Sequence, residues 1–490
     1  MNNNNRILLL IIGIAISPFL FAQENSTADW SLKKCIDFAL QNNLNVQRSI
    51  YNVESSNISY NQTRLNQLPN LNASTSTGFN WGRSIDPTSN QFITQRIHSV
   101  SAGLSSSVTL FNGMRLKNTV QQNKLSFEAS KSNLEKVKND IIQNVVLFYV
   151  NVIFNKEIFE NAKLQLASTE ESVTVTQKRV DAGALPKSNL LDLLAQKSTN
   201  EVNVVNTENS YNLSLLQLKQ LLQLPASTSF SIETPQVDVD NNIVLDISSE
   251  EIYNVSLSSM PEIKNADLNV ESAEYGTRAA KGNLYPTLSL NAGIRTNYSD
   301  AADIDRFVPD GGTPTIFPTP QIGIVGDGSN TPVYSIEDIT VPSGELINGY
   351  NFSDQFSDNI SEFVSINLSI PIFNGYQARY GVQRALINKR QAEITSQEIR
   401  NTLRQSVERA YNDVLAAAKS YQASLKQVEA REEAFRVTQK RLENNAINNT
   451  EYQIAENTLF QAKSDLLRAK YDYIFKLKIL DFYQGKPLDF

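Results

Sequence analysis

Val100-Ser101-Ala102-Gly103-Leu104-Ser105-Ser106-Ser107-Val108-Thr109-Leu110-Phe111-Asn112-Gly113 alternates apolar and polar side chains and then breaks at Phe-Asn-Gly. The design returns in Val364-Ser365-Ile366-Asn367-Leu368-Ser369-Ile370-Pro371-Ile372-Phe373-Asn374-Gly375. A period of two is that of a strand with one oily and one wet face. Phe111 recurs as Phe373, and Val175-Thr176-Gln177-Lys178-Arg179 recurs as Val437-Thr438-Gln439-Lys440-Arg441, both shifted by 262 positions (373 − 111 and 437 − 175). No insertion separates the two copies of this stretch. Repetition on this scale makes the chain a tandem duplication.

A second, weaker pair of strands precedes these two. Leu71, Ala73, Thr75 and Thr77 alternate with Asn72, Ser74 and Ser76, and Leu288, Leu290, Ala292 and Ile294 alternate with Ser289, Asn291 and Gly293, at an offset of 217. In a globular sandwich the apolar faces would meet in a core. Here the polar faces are Ser, Thr, Asn and Gly with almost no charge, which fits the interior of a membrane barrel better than a solvated sheet. Roughly 9 to 11 tilted residues cross a bilayer, and Trp81, Tyr285 and Tyr298 stand near strand ends as interfacial aromatics. The residues expected to face lipid are Val100, Leu104, Val108, Val364, Ile366 and Leu368. Four strands cannot close a barrel, since the smallest have roughly 8. An open edge is not tolerated in lipid, so several chains are expected to share one barrel.

After each Phe-Asn-Gly the spacing becomes helical. Leu403, Val407, Ala410, Val414, Ala417, Tyr421 and Val428 follow 4-3 steps broken only by Ser424 at the missing place, the seam of a coiled coil. Gly113 to Asp181 contains no Pro and no further Gly, and its 69 residues at ~1.5 Å each amount to about 100 Å of helix. Reversals follow at Gly183-Ala184-Leu185 and Asn445-Ala446-Ile447, where Gly and Asn accept the left-handed conformation that ends a helix. Returning helices are expected from about Asn189 to Leu224 and from Thr450 to Phe482. The copies differ chiefly in the strand connection. Pro69 to Phe111 is 42 positions and Pro286 to Phe373 is 87, and the excess falls in 300–358, rich in Gly, Pro, Asp and Ser, a large surface loop. Residues 225–249 read as an extended connector. The expected division is a signal peptide at 1–22, a first repeat at 23–230 and a second at 231–490.

The ends and the composition bound the function. Arg6 precedes an apolar run from Ile7 to Phe21, with Ala22-Gln23 as a cleavage point, the pattern of a secretory signal peptide. No Cys follows that point directly, so no lipid anchor is expected. A net charge of −7 argues against nucleic acid as a partner. With one His and one Cys in 490 residues, metal chemistry lacks its usual ligands, and no catalytic constellation or cofactor motif is expected. His98 reads as a strand residue and Cys35 as a buried apolar position on the stripe of Leu32, Ile36, Ala39 and Leu40. The acids Glu432-Glu433 read as solvated helix surface, and Phe490 as a tail residue. The richest later apolar run, Val145 to Phe154, is ten long and short of the ~18 a membrane helix needs. It reads as a helix segment buried on most sides.

Taken in order, these features resemble the TolC family of bacterial outer-membrane efflux and secretion ducts. The residues are Leu32-Lys33-Lys34-Cys35-Ile36-Asp37-Phe38-Ala39-Leu40, Leu110 to Gly113, Arg179-Val180-Asp181-Ala182-Gly183, Asp192, Tyr285-Pro286-Thr287-Leu288, Ile370 to Gly375 and Ala462 to Tyr473. The resemblance covers essentially the whole mature chain. It implies an α+β membrane protein of the Gram-negative outer membrane: a homotrimer whose three sets of four strands form a 12-stranded β-barrel, continued by a long α-helical coiled-coil periplasmic tunnel. It further implies a passive duct working with a periplasmic adaptor (membrane fusion) protein and an inner-membrane pump, in efflux or type I secretion, with the two helical tips as the adaptor-docking surface. By the same resemblance Glu451 aligns with the first acidic position of the periplasmic pore entrance, and Ile454 occupies the second. Leu442 and Ile447 replace the polar partners that tether the tip, and Asn189 stands where the first copy often has an acid. On its own residues Glu451 has two readings, a pore ring or an exposed helix charge. The alternative function is a trimeric surface adhesin with helical stalks, whose strands would be expected together at the C-terminus.

Overall fold

The computed structural model describes residues 29–85, 92–94, 96–234, 247–302, 306–317, 321–326, 328, 331–334, 339–347, 349–444 and 446–486. The signal peptide at 1–22, Asn445 and Phe490 lie outside the described residues. In the first repeat α1 (Leu32–Asn42) and α2 (Leu44–Leu65) lead into β1 (Asn72–Asn80), the short β2 (Arg83–Ile85) and β3 (Phe92–Thr94), and β4 (Ile97–Phe111). Two helices follow, α3 (Arg115–Asp181) and α4 (Lys187–Leu221). The second repeat has α5 (Ser249–Ser259), α6 (Pro261–Gly282) and β5 (Thr287–Ser299). Its insertion carries β6 (Arg306–Pro309), β7 (Thr315–Phe317), β8 (Gln321–Ile324), β9 (Pro332–Tyr334), β10 (Ile339–Val341), β11 (Gly344–Ile347) and α7 (Phe352–Asp358). It closes with β12 (Ser361–Ser369), α8 (Gln377–Glu443) and α9 (Asn449–Tyr483).

The duplication holds to the residue. α1 and α5 have 11 residues each, α2 and α6 have 22, α3 and α8 have 67, and α4 and α9 have 35. The two shifts read from sequence recur in the helix starts, 249 − 32 for α1 and α5 and 377 − 115 for α3 and α8. Helix boundaries differ from the expected ones where backbone chemistry intervenes. The long helices begin two residues after the glycine because Gly113 and Met114, and likewise Gly375 and Tyr376, all have φ between 61° and 64°. A pair of left-handed residues cannot be helical. Leu221 rather than Leu224 ends α4, since Gln223 also has a positive φ of 60° and the Leu224 N–H turns back to Lys219 O.

The chain forms two compact units, and each draws on both repeats. One comprises Met1–Ile50, Leu134–Pro261 and Arg400–Phe490. Its core packs Cys35, Ala39 and Val46 against Val145, Val146, Tyr149, Val152 and Ile153 of α3 and Leu218 and Leu222 beside them. The apolar run of α3 is thus largely buried, as its length implied, with Leu147 exposed. No helix among the described residues is long and apolar enough to cross a membrane. Tyr149 Oη donates to Trp30 O and Glu233 O, and Trp30 bridges to Ile232, which pins the described start of the connector to the core. The seam read on α8 is buried at Leu403, Val407, Ala410, Val414, Ala417, Tyr421 and Val428. Each fully buried Leu, Ile or Val contributes ~1.5–3 kcal/mol. By contrast, among the described residues of this unit most ion pairs join neighbouring turns of the same helix on its exposed surface, where solvent screening leaves them little weight. Packing holds this unit together.

The second unit comprises Tyr51–Asn133 and Glu262–Ile399 and is built on an antiparallel four-stranded sheet of order β1-β4-β5-β12. β1 and β12 form its outer edges. The strands run longer than the alternation alone suggested, 15 residues in β4 and 13 in β5. The insertion, expected as a loop, is more ordered than its composition indicates. β6 pairs with β11, β7 with β10 and β8 with β9, a nested ribbon, and α7 packs on β5, where Thr296 Oγ1 donates to Phe356 O.

Candidate functional site

Register decides which side chains share a face. Ala73 lies opposite Leu104, Leu104 opposite Ile294, Val108 opposite Leu290, Leu290 opposite Ile366 and Leu288 opposite Leu368. Opposite residues in antiparallel strands point to the same side. The apolar positions of all four strands therefore fall on one face, while Ser105, Gly293, Ser365, Asn291, Ser289 and Asn367 fall on the other. On the apolar face Leu104 is exposed and Val100 and Val108 are half-buried; Val364, Ile366 and Leu368 are 76%, 66% and 60% exposed.

One end of this face carries aromatics that sequence reading only partly found. Phe79 stacks on His98 with centroids 4.5 Å apart, His98 meets Tyr298 edge-on, and Tyr298 contacts Phe352, which stacks on Phe356. Trp81 adjoins Phe79. Phe352 and Phe356 come from α7, about 60 residues from β5 along the chain, so only tertiary structure could join them to Tyr298. His98 shares a hydrogen bond with Thr77 Oγ1, and its backbone N–H donates to Asp300 Oδ1. No cluster of metal-binding residues occurs among the described residues. Such aromatics are the type that settles at a membrane–water boundary.

At the foot of the sheet the first Phe-Asn-Gly turn is clamped. A Cβ on Gly113 would lie 2.6 Å from Gly282 O and 2.8 Å from Tyr285 Cβ, and one on Gly282 would lie 2.7 Å from Arg115 Cβ. Two glycines touch here, where the strand turns into α3.

A backbone hydrogen bond reaching back five residues recurs at both helical tips, from Ala184 to Arg179 and from Ala446 to Arg441. Gly183 has φ 73°, its N–H donates to Val180 O and the Ala184 N–H to Arg179 O, the paired bonds of a Schellman turn. Ala446 N–H donates to Arg441 O in the second tip. Gly183, Ala184 and Ala446 are exposed, and Leu185 and Ile447 are half-buried. Glu451 sits in the first turn of α9 and is exposed. Its N–H donates to Asn448 Oδ1 at 2.8 Å, and Asn448 Nδ2 lies 3.4 Å from its carboxylate. An acid there also favours the helix N-terminus.

A polar seam joining α3 to α9 was not foreseen. Tyr471 Oη donates to Glu157 at 2.5 Å, Asn161 to Ser464, Gln165 to Asn457, and Ser168 Oγ to Glu456. Glu456 is 3% exposed. Burial raises its carboxyl above the usual range, and the Ser168 hydroxyl partly opposes this. The folded protein therefore binds this proton more tightly than the unfolded chain does. The associated stability is present below the unfolded carboxylate range and is lost as pH rises through the folded pKa. Glu456→Gln is expected to melt a few degrees above wild type at pH 8, with the gap closing near pH 4. Thermal melts at both pH values check this; an equal gap at each would remove Glu456 as the titrating group.

An α+β chain with long paired helices and a sheet apolar on one face has the architecture of an outer-membrane channel subunit. The family model for outer membrane efflux proteins matches residues 35–223 and 252–485, so the chain belongs to that family, whose members are channels and not enzymes. The resemblance to TolC-like ducts is thereby borne out, and the protein is one of the outer membrane with a periplasmic helical extension. The chain is 22% identical over 307 residues to the probable outer membrane lipoprotein SilC of Salmonella typhimurium, covering 62% of this chain and 64% of that one. It is 24% identical over 241 residues to the outer membrane efflux protein BepC of Brucella suis, covering 48% and 47%. The chain thus spans less than two thirds of the length of either relative. The solved structure of CusC, a protein that forms a transmembrane channel, shares the fold at a TM-score of 0.73 and 18% identity, over 94% of this chain and 93% of that one.

Proposed function

We propose that the protein is the passive duct of a tripartite efflux or type I secretion assembly. Three copies would complete one 12-stranded barrel and a helical tunnel, with a periplasmic adaptor docking on Gly183-Ala184-Leu185 and Asn445-Ala446-Ile447 and an inner-membrane pump supplying the energy. The observation that carries this reading is a sheet with one apolar face and two outer edges left over. Lipid does not tolerate open edges, so a membrane sheet of this kind calls for further strands. The two repeats at 23–230 and 231–490 would then give the assembly a six-fold pseudo-repeat of strands and helices.

On this reading Val100, Leu104, Val108, Val364, Ile366 and Leu368 face lipid, and Glu451 contributes one carboxylate per chain to the entrance. Like charges about 4 Å apart in water repel by only ~1 kcal/mol, so a wide ring would select weakly and a narrow one strongly. Purified protein in a planar lipid bilayer is expected to give discrete conductance steps with cation preference, and Glu451→Lys to reverse that preference in a salt gradient. A wild type without conductance would favour the adhesin reading. Identical reversal potentials would leave Glu451 as a helix cap alone.

A further inference from the structure

On its apolar face the sheet carries a wall that the first repeat lacks. Ile294, Thr296 and Tyr298 of β5 lie opposite Leu104, Ala102 and Val100 of β4, which in turn lie opposite Ala73, Thr75 and Thr77 of β1. All nine therefore share the apolar face. α7 is fastened across the upper part of it. Thr296 Oγ1 donates to Phe356 O and Asn359 Nδ2 to Asn297 O. The fully buried Gln355 accepts from the Ser299 N–H and donates to Ser299 O and Tyr350 O. These bonds to backbone on several sides fix α7 in place. In the first repeat no helix stands between β1 and β4 among the described residues.

Between α7 and the strands runs an open groove of about 510 Å³, floored by Ala73, Ala102, Leu104 and Ile294 and walled by Phe356 and Ile360. The floor is hollow where Ala73 and Ala102 are small beside Leu104 and Ile294. Thr75 and Thr296 also line it, but their hydroxyls donate to Ser101 O and Phe356 O and leave only methyl groups to offer. Ser74 and Arg295 border it from behind, since both lie opposite Gly103 and so alternate to the polar face. A polar ligand would give up its hydration here without replacement. An apolar one loses nothing, and the volume is within the range of roughly 300–1,000 Å³ usual for small-ligand sites.

We propose that this groove holds one acyl chain of a membrane lipid, in the leaflet farther from the helices. Its position names the occupant. The groove opens on the face that also bears Val364 and Ile366, and it adjoins the rung of Tyr298, where the aromatic cluster with Phe79 and His98 begins. β4 runs from that aromatic end toward α3, so the groove lies in the half of the sheet away from the long helices. The proposal rests on the lipid-facing reading of this face and adds to it a fixed site. Elsewhere on the face lipid chains exchange over an open surface, whereas here a chain packs against three sides.

Labelling from within the bilayer tests this. The protein is reconstituted in phosphatidylethanolamine and phosphatidylglycerol vesicles containing a small fraction of phosphatidylethanolamine with a diazirine midway along one chain. After irradiation the labelled residues are mapped by peptide mass spectrometry. Labelling per residue is expected to be about fivefold or more higher at Ala73 to Thr75, Ala102 to Leu104 and Phe356 to Ile360 than at Val364 to Leu368, which share the face but have no wall beside them. Ala102→Phe, which fills the groove, should bring that ratio close to one. If this variant does not fold, Phe356→Ala removes the wall without adding bulk to the sheet and should lower the ratio in the same way. Enrichment that survives in the folded variants overturns the groove as its cause. Even labelling over the whole face in wild-type protein that conducts overturns the fixed site and leaves the duct and its lipid face intact. Absence of label from Val364, Ile366 and Leu368 as well as from the groove overturns the lipid-facing reading itself, and the site falls with it.

Discussion

Leu104→Arg or Ile366→Arg is expected to lower the amount of folded protein in outer membranes by well over tenfold. Both residues lie on the apolar face of the sheet, cross-strand from Ile294 and Leu290. A guanidinium facing mid-bilayer costs ~2–4 kcal/mol, and about 1.4 kcal/mol already corresponds to a factor of ten. In a trimer the substitution acts three times. Ser105→Arg and Asn367→Arg, one position along the same strands but on the polar face, should retain at least half the wild-type level. Fractionation followed by gels with and without heating reads both quantities. Equal losses on the two faces would show that the apolar face does not meet lipid.

The second large effect is expected at Gly113. Gly113→Val places a β-branched residue at φ 64°, where the left-handed conformation costs ~1–2 kcal/mol. Its Cβ would also fall 2.6 Å from Gly282 O, a backbone atom that cannot swing aside. Overpacking of this kind adds ~1–3 kcal/mol, and the strand-to-helix turn is the point at which sheet and helix must both be in place. Little folded protein is expected. Gly183→Val carries the same conformational penalty at φ 73° but has nothing within 4 Å of the new Cβ. It should fold to near wild-type amounts. If the two variants accumulate equally, the Gly113–Gly282 contact has no role in folding.

The strands, the repeat and the α8 seam were legible because each leaves a periodic trace in local sequence. Leu403, Val407, Val414 and Val428 are buried as their 4-3 spacing implied, since a stripe of apolar residues has few alternatives to packing inward. The tips were legible from Gly183 because only a few residue types accept that backbone conformation. Glu456 was not legible. On an amphipathic helix an acid reads as surface, and its burial depends on where Ser168 of α3 arrives. The nested ribbon was hidden for a similar reason. Its segments are only 3 or 4 residues long, and Thr315–Phe317 pairs with Ile339–Val341 across an intervening hairpin, so no short window holds a period. The aromatic cluster joins Phe79 and His98 to Phe352 and Phe356, residues drawn from both repeats.

The equality of helix lengths set against the unequal strand connections has a practical consequence for anyone wishing to decorate this protein. A residue added to α3 rotates everything beyond it by about 100° and moves it ~1.5 Å, which puts every later contact with α4 and α9 out of phase. A residue added between β8 and β9 changes neither, because the ribbon leaves and returns through paired strands whose ends are already held. Loop closure grows only with the logarithm of length, about 0.6 kcal/mol per doubling. Foreign peptides, epitopes or small domains grafted at the tip of that ribbon should thus be carried at little thermodynamic cost, whereas the same insertion anywhere along the long helices would have to be compensated in both repeats at once.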